Sequence, residues 1–322
     1  EPYNFLQAKQ IGCHLITVPP GIIEKIVKFW TFVFFVVTVD IIFELIFGFN
    51  TLGFKSYLEG RIASFFGDEL VVGTFYHFLS LLVLSYFIKN KYSNFFVILL
   101  IITIISISFM IGERANFLKL FFSILLLSSL ILKIDFIKKT GLVFLTLLIV
   151  SSIFYTNDDL KKRYYNQISI IYSIDGFKKY FKESQYGAHQ NAAYEIFKDN
   201  ILFGVGLKNF REESKKSIYE NSDYKKTDER QATHPHQIHL ELLSELGLIG
   251  YILFLILIIH SIIVSAKNYS VKKDPYQLST LIYILSCLIP LIPSGSLFST
   301  FFGGIFWFSF GLMISFNKKI KT

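Results

Sequence analysis

Apolar residues form eight long stretches along the chain, separated by short polar connections and by one long polar segment. The stretches lie near 26–48, 70–88, 95–111, 117–132, 140–155, 241–266, 276–293 and 298–316. A transmembrane α-helix needs about 20 mostly apolar residues, and these stretches approach or exceed that length. The period-two alternation of β-strands is absent from them. The pattern predicts an all-α, polytopic membrane protein.

Lysines gather at the ends of these stretches, always on the same side when successive spans alternate in direction. They are Lys25, Lys28, Lys89, Lys91, Lys133, Lys138, Lys139, Lys267, Lys272, Lys273, Lys318, Lys319 and Lys321. Lysine-rich short connections stay in the cytoplasm. We expect residues 26–155 to form transmembrane helices with short periplasmic loops, and residues 241–322 to form further helices with a cytoplasmic C-terminus. Residues 1–25 precede the first span, and their start fits an N-terminal truncation.

The long polar segment, residues 156–240, carries 14 Lys or Arg and 12 Asp or Glu together with aromatic residues. It lacks the Gly-rich or Pro-rich composition of a linker. Long loops cross a membrane largely regardless of their charge. We therefore expect a folded periplasmic cap between the fifth and sixth spans.

Composition supports a membrane protein and argues against other classes. Hydrophobic residues make up 52% of the 322 residues, and only 17% are charged. The net charge of +8 comes largely from lysines at span ends, so we expect membrane lipids but no nucleic acid as partners. Cys13 and Cys287 form no metal-ligand motif, and no phosphate-binding loop is found. We expect no cofactor.

Arginine is rare in this chain, and its positions are one-sided. All five arginines fall on the predicted outer face, namely Arg61, Arg114, Arg163, Arg211 and Arg230. Arg114 lies between two spans in Gly112-Glu113-Arg114, where a cation near hydrocarbon needs a partner or a ligand. Glu113 could be that partner, or a phosphate group could be the ligand of the planar guanidinium.

Three histidines, His234, His236 and His239, cluster where the cap returns to the membrane. Pro235 suits the first turn of a helix, and His236 and His239 would then share one helix face. A neutral imidazole can serve as a general base, and two imidazoles can form part of a zinc site. A capping or interfacial role is a third interpretation. No further zinc ligand is evident, so we expect no metal.

Two other features of the sequence are better explained by a structural role or by no binding role. Asp40 and Glu44 are spaced to share one face of the first span, where we expect an interhelical or structural role. Gly204-Val205-Gly206 begins like a dinucleotide-binding fingerprint, but position 209 is Asn and no strand context surrounds it. We therefore reject a nucleotide site there.

Four short motifs follow one another between about residues 50 and 250. They are Arg61-Ile-Ala-Ser-Phe-Phe-Gly67 with Gly73, Arg114-Ala-Asn-Phe-Leu118, Phe203-Gly-Val-Gly-Leu-Lys-Asn-Phe210, and His236-Gln237 followed by Gly247-Leu-Ile-Gly250. Together they resemble the superfamily of O-antigen ligases and O-antigen polymerases, which are membrane glycosyltransferases.

This resemblance implies a helical fold of the kind called GT-C and inverting, metal-independent transfer of an undecaprenyl-pyrophosphate-linked glycan to a hydroxyl acceptor. It places the reaction on the periplasmic face of the bacterial inner membrane. We assign catalysis to His236 as base and Arg114 as electrostatic stabiliser. We assign substrate binding to Arg61, Arg211, His234, Gln237 and His239.

The motifs leave the acceptor open. We favour an O-antigen ligase, whose acceptor is lipid A core, over a polymerase that extends lipid-linked repeat units. A polysaccharide or ion transporter would explain paired intramembrane acids, but it predicts matching broken helices in two halves and needs no folded cap. Neither symmetry nor such breaks are evident in the sequence.

Overall fold

The computed structural model describes residues 20–132, 135–171, 175–290 and 292–317, and these residues form helices and connecting loops without a β-strand. The helices are α1 (Pro20–Phe47), α2 (Val72–Lys89), α3 (Asn94–Met110), α4 (Arg114–Ile131), α5 (Phe136–Thr156), α6 (Asp158–Ile171), α7 (Gly176–Glu183), α8 (Gln185–Asp199), α9 (Phe210–Glu213), α10 (Ile238–Lys272), α11 (Pro275–Cys287) and α12 (Phe302–Ser315). Lys133, Lys318, Lys319, Lys321 and most of the N-terminal segment lie outside the described residues.

Five of the described helices are long and apolar enough to cross a membrane, namely α1, α2, α4, α5 and α10. Helices α3 and α12 are apolar but shorter. The chain is therefore a polytopic, all-helical membrane protein, as the sequence predicts. The seventh predicted span ends early, because α11 stops at Cys287 and the chain then runs through Pro290 and Pro293. Proline disfavours a continuing helix at both its own and the preceding position.

Helix α2 is the centre of the bundle and packs against α1, α3, α4 and α11. It is apolar around most of its circumference, as expected of a helix surrounded by other helices. His77 on α2 lies within 3.4 Å of Ser123 on α4 and within 3.3 Å of Ser286 on α11. Helix α5, by contrast, exposes most of its apolar side chains, which suits a helix that faces lipid.

The loops meet at two opposite ends of the bundle. At one end Lys89 forms a 3.0 Å ion pair with Asp274, which joins the end of α2 to the start of α11. At the other end Ile62 N donates to Ile111 O at 3.2 Å, so the loop after α1 contacts the loop before α4. The long segment with α6–α9 lies at this second end, which we call the cap end.

Asp40 and Glu44 on α1 hold the loop 48–71 against the bundle. Asp40 accepts hydrogen bonds from Thr51 N at 2.8 Å and from Ser64 Oγ at 2.7 Å. Glu44 accepts from Ala63 N at 3.0 Å and from Ser64 N at 2.6 Å. All four carboxylate oxygens are thus used by this loop, which gives both acids the structural role expected of them.

Helix α10 is interrupted at Gly247, where the segment 200–206 completes its hydrogen bonding. Gly247 has φ +66°, and a Cβ there would come within 2.4 Å of the backbone of Leu202. Leu248 N donates to Ile201 O at 2.7 Å, and Gly206 N donates to Glu245 O at 2.8 Å. The interrupted helix and this segment therefore exchange backbone hydrogen bonds.

Candidate active site

A cavity of about 900 Å³ lies at the cap end, between the membrane helices and the cap. Its walls come from the ends of α3, α4 and α5, from α6 and α8, and from the loops around residues 57–71, 234–236 and 292–295. Three arginines and two histidines line it, namely Arg61, Arg114, Arg163, His234 and His236. The cavity therefore combines cationic groups with imidazoles.

Glu113 is the partner of Arg61, not of Arg114. Arg61 Nη2 lies 2.7 Å from Glu113 Oε1, and both side chains are largely buried. Glu113 also accepts from Gly73 N at 3.1 Å and from the Asn116 amide. Because Glu113 bonds to groups at the starts of α2 and α4, it fixes Arg61 at the wall of the cavity.

Arg114 lies at the start of α4, where its Nη1 donates to Arg163 O at 3.0 Å. Within the described residues, no carboxylate lies within ion-pair distance of its guanidinium. The alternative in which Glu113 neutralises Arg114 is therefore not the arrangement found in this fold. The Arg114 guanidinium remains available to an anionic ligand in the cavity.

Arg163 is the third arginine of the cavity and comes from the first helix of the cap. Its Nε donates to Gly112 O at 2.9 Å, in the short turn between α3 and α4. Gly112 has φ +77°, and a Cβ there would overlap Gly60 O at 1.9 Å, so this close approach needs glycine. Burial, together with the positive charges of Arg61 and Arg114, lowers the pKa of Arg163 to about 10.

Histidine rings stack on the cap side of the cavity. The His236 ring lies 4.1 Å from the His234 ring and 5.3 Å from the His189 ring, measured between ring centroids. Tyr186 packs edge-on against His236 at 5.1 Å. His189 Nε2 is 2.8 Å from Glu229 O, which fixes the orientation of that ring. The stack thus holds His236 from two sides.

Burial and the neighbouring rings of His234 and His189 lower the pKa of His236 to about 3. Burial likewise lowers the pKa of His234 to about 4. Both imidazoles are therefore neutral at neutral pH. A neutral ring has a free lone pair that can accept a proton.

The predicted helix around His236 begins later than the sequence suggests. Gln237 is the N-cap of α10, and its Oε1 accepts from Leu240 N at 2.7 Å. His236 precedes the helix with φ +53°. The prediction that His236 and His239 share a helix face is therefore wrong, because the helix begins only after Gln237 and His236 lies outside it.

Gln237 and His239 bind the backbone of Pro290 and Leu288, close in sequence to the wall residues 292–295. Gln237 Nε2 donates to Pro290 O at 2.8 Å. His239 Nε2 lies 2.9 Å from Leu288 O, and its Nδ1 lies 3.0 Å from the hydroxyl of Tyr251. Neither residue lines the cavity, so in this geometry both support its wall.

The wall that they support also contacts His236 directly. Ser294 N donates to His236 O at 2.9 Å. The buried ammonium of Lys119 on α4 donates to Pro293 O at 2.8 Å. Pro293, Ser294 and Gly295 all line the cavity. The helix that begins at Arg114 is thereby linked to the backbone of His236.

The two remaining arginines lie outside the cavity. Arg211 is exposed on α9. Arg230 is buried within the cap, where it lies 3.2 Å from Glu220 Oε1 and donates to Thr227 O at 3.1 Å. The assignment of Arg211 to substrate binding stays a prediction without a contact to the cavity.

Arg163, Tyr186 and Gln190 also line the cavity, although none of them belongs to the site residues assigned from the sequence motifs. The one-sided distribution of arginines was the available signal for Arg163. Among the residues that the structure describes, no group of three or more His, Cys, Asp or Glu is arranged to hold a metal ion.

A family model described as O-antigen ligase matches residues 73–255. This match covers more than half of the chain. The chain belongs to the O-antigen ligase family. A comparison of the chain with curated proteins found no match. The matched region of this O-antigen ligase family member includes Arg114, Arg163 and His236, whereas Arg61 and the 292–295 wall lie outside it.

Membership of the O-antigen ligase family implies a glycosyltransferase-type activity on lipid-linked glycans in a membrane. The cavity is compatible with that chemistry. It lies at the end of a membrane-spanning bundle, and its walls include apolar residues of α4 and α5 next to the arginines, such as Leu118 and Val150. A ligand with a charged group and an apolar tail could contact both surfaces.

Proposed function

We propose that this protein transfers an undecaprenyl-pyrophosphate-linked glycan to a hydroxyl acceptor on the periplasmic face of the bacterial inner membrane. We favour an O-antigen ligase whose acceptor is lipid A core. The observation that carries the proposal is the meeting of Arg61, Arg114 and Arg163 with His236 in one cavity. The lysines on the opposite side of the spans support a periplasmic cap end.

The charges of the cavity fit a pyrophosphate. Arg61, Arg114 and Arg163 contribute three positive charges and Glu113 contributes one negative charge, which leaves two positive charges near the cavity wall. Glu69 also lines the cavity, but it is exposed to solvent. A pyrophosphate that joins a lipid to a sugar carries two negative charges. Planar guanidinium groups bind such oxygens through parallel hydrogen bonds.

The transfer breaks the bond between the anomeric carbon and the pyrophosphate oxygen and forms a bond from that carbon to the acceptor oxygen. The leaving pyrophosphate takes the electron pair, and the arginines stabilise the charge that develops on it. His236 accepts the proton of the acceptor hydroxyl. Attack from the face opposite the leaving group inverts the anomeric centre, and no step requires a metal ion.

The low pKa of His236 is compatible with this role. At neutral pH the ring is already neutral, so it needs no prior deprotonation. A bound pyrophosphate brings negative charge into the cavity, and nearby negative charge raises the pKa of an imidazole. Donor binding would therefore make His236 a stronger base at the stage when the base is needed.

Purified protein in lipid nanodiscs can be supplied with a lipid-pyrophosphate-linked glycan and either lipid A core or a second lipid-linked repeat unit. We expect product with lipid A core, together with release of lipid pyrophosphate. Product only with the second repeat unit would identify a polymerase. Failure with both acceptors, while the donor still binds, would contradict transfer. The Arg114→Ala, His236→Ala double variant is the control for background hydrolysis.

A further inference from the structure

One part of the cap is apolar and exposed, although most of the cap surface is polar. In the segment 200–207 the side chains of Ile201, Leu202, Phe203 and Leu207 are 50%, 56%, 73% and 57% exposed. Four large exposed apolar side chains within seven residues form a patch, whereas single exposed apolar residues are common on proteins. The patch therefore points to an apolar partner.

The patch is continuous with the lipid-facing side of α10. Leu248 and Ile249 are 38% and 43% exposed, and their amides donate to Ile201 O and Leu202 O at 2.7 Å and 3.2 Å. The exposed apolar side continues along α10 with Ile252, at 46% exposed. The segment 201–203 therefore lies beside Leu248 and Ile249 on α10.

The level of Leu248 along α10 matches the edge of the hydrocarbon. From Leu248 to Ala266, before the first lysine at Lys267, the helix has 19 residues (266 − 248 + 1). At a rise of 1.5 Å per residue they extend for about 28 Å, close to the roughly 30 Å hydrocarbon core of a bilayer. Leu248 is thus near one boundary of the core when Lys267 is at the other.

The backbone of the segment can also enter an apolar phase. Ile201 O and Leu202 O accept from the interrupted helix, and Gly206 N donates to Glu245 O. Val205 N donates to Ser244 O at 3.0 Å. An unpaired backbone group in hydrocarbon costs several kcal/mol, so non-helical segments are tolerated at this depth only when their groups are paired. The exchange at Gly247 pairs these four groups, and Gly204 N donates to Asn200 O at 2.9 Å.

We propose that the segment 200–207 is inserted into the bilayer surface on the cap side, with the acyl chains below the lipid headgroups as its partner. The insertion anchors the end of α8, whose first half contributes Tyr186 and Gln190 to the cavity. It therefore fixes the height of the cap above the membrane. The anchoring is independent of which glycan is transferred.

Spin labels on single cysteines in proteoliposomes test the proposal. Phe203→Cys is compared with Ile218→Cys, since Ile218 is a cap residue of similar exposure, 68%. Leu253→Cys, on the lipid-facing side of α10, gives the membrane reference. The parent carries Cys13→Ala, and its buried Cys287 must remain unlabelled. Collisions of each label with oxygen and with a water-soluble nickel complex are measured.

We expect the label at Phe203 to resemble the label at Leu253. Its ratio of oxygen to nickel collisions should be at least about fivefold higher than the ratio for the label at Ile218. A label as nickel-accessible as that at Ile218 would overturn the proposal. A label shielded from both reagents would also overturn it, because a second copy of the chain would then cover the patch. Leu207→Cys provides an independent position should the Phe203 variant fold poorly.

Discussion

Replacing Arg114 with lysine keeps the positive charge at the start of α4 and removes the planar fork of donors. In the native protein Nη1 of Arg114 donates to Arg163 O at 3.0 Å, which leaves the other guanidinium N–H groups for a ligand. A lysine has a single nitrogen. It must either keep the contact with Arg163 O or turn towards the pyrophosphate, and it cannot reproduce two parallel hydrogen bonds.

The expected loss follows from the value of one charged hydrogen bond. Hydrogen bonds to charged groups contribute about 1.5–3 kcal/mol, and each 1.36 kcal/mol changes a rate about tenfold. We therefore expect Arg114→Lys to lower kcat/KM by roughly 10- to 150-fold if one bond to the leaving pyrophosphate is lost in the transition state. Folded yield should stay near that of the native protein, because the charge and most of the side-chain volume remain.

Initial rates of transfer in nanodiscs, together with folded yield after size exclusion, measure both quantities. Arg230→Lys in the same assay makes the same chemical change at an arginine within the cap and outside the cavity, and we expect its rate per folded protein to stay within about twofold, less than 0.5 kcal/mol. The reasoning is refuted if Arg114→Lys transfers within threefold of the native rate. A poorly folding Arg114→Ala with an active Arg114→Lys would make Arg114 a structural residue.

Three further predictions follow from the cavity. His236→Ala should abolish transfer without loss of folded protein, measured by the same two assays. Near-native transfer by this variant would exclude His236 as the general base. Glu113→Gln should lower the melting temperature, since it leaves Arg61 without its 2.7 Å ion pair in a largely buried setting, and an unchanged melting temperature would contradict that role. The low pKa values of His234 and His236 mean that the unfolded chain binds protons that the folded chain does not, so stability should fall as pH drops from about 6.5 towards 4. Thermal unfolding between pH 7 and 5 tests this, and His234→Gln with His236→Gln should flatten the dependence.

The class of the protein follows from its pattern of apolar and polar residues alone. Apolar stretches of spanning length must become helices in a bilayer, because only a helix pairs its own backbone groups within one segment. Each of the eight predicted stretches overlaps one of the described helices α1–α5 and α10–α12, and five of these helices are long and apolar enough to cross a membrane. The motifs around Arg114 and His236 likewise indicated the family, which the match over residues 73–255 confirms.

Local patterns were less informative where a residue's role depends on a distant segment. Glu113 is adjacent to Arg114 in the sequence, yet it pairs with Arg61, which lies 52 positions earlier. Gln237 follows His236 directly, yet it caps a helix and binds Pro290 O instead of lining the cavity. Neighbours in sequence often point to opposite sides of the backbone, so adjacency to a site residue does not place a side chain in the site.

Which groups share the cavity depends on how the helices and loops pack together. Arg163 enters it because Gly60 and Gly112 allow two loops to touch, and His189 reaches His236 because α8 packs against α10. Gly204 and Gly206 begin like a dinucleotide-binding fingerprint in the sequence, but together with Gly247 they permit a backbone exchange between two segments about 40 residues apart. Sequence periodicity reports the face of one helix. Contacts between helices, which set these pairings, depend on packing that no single segment encodes.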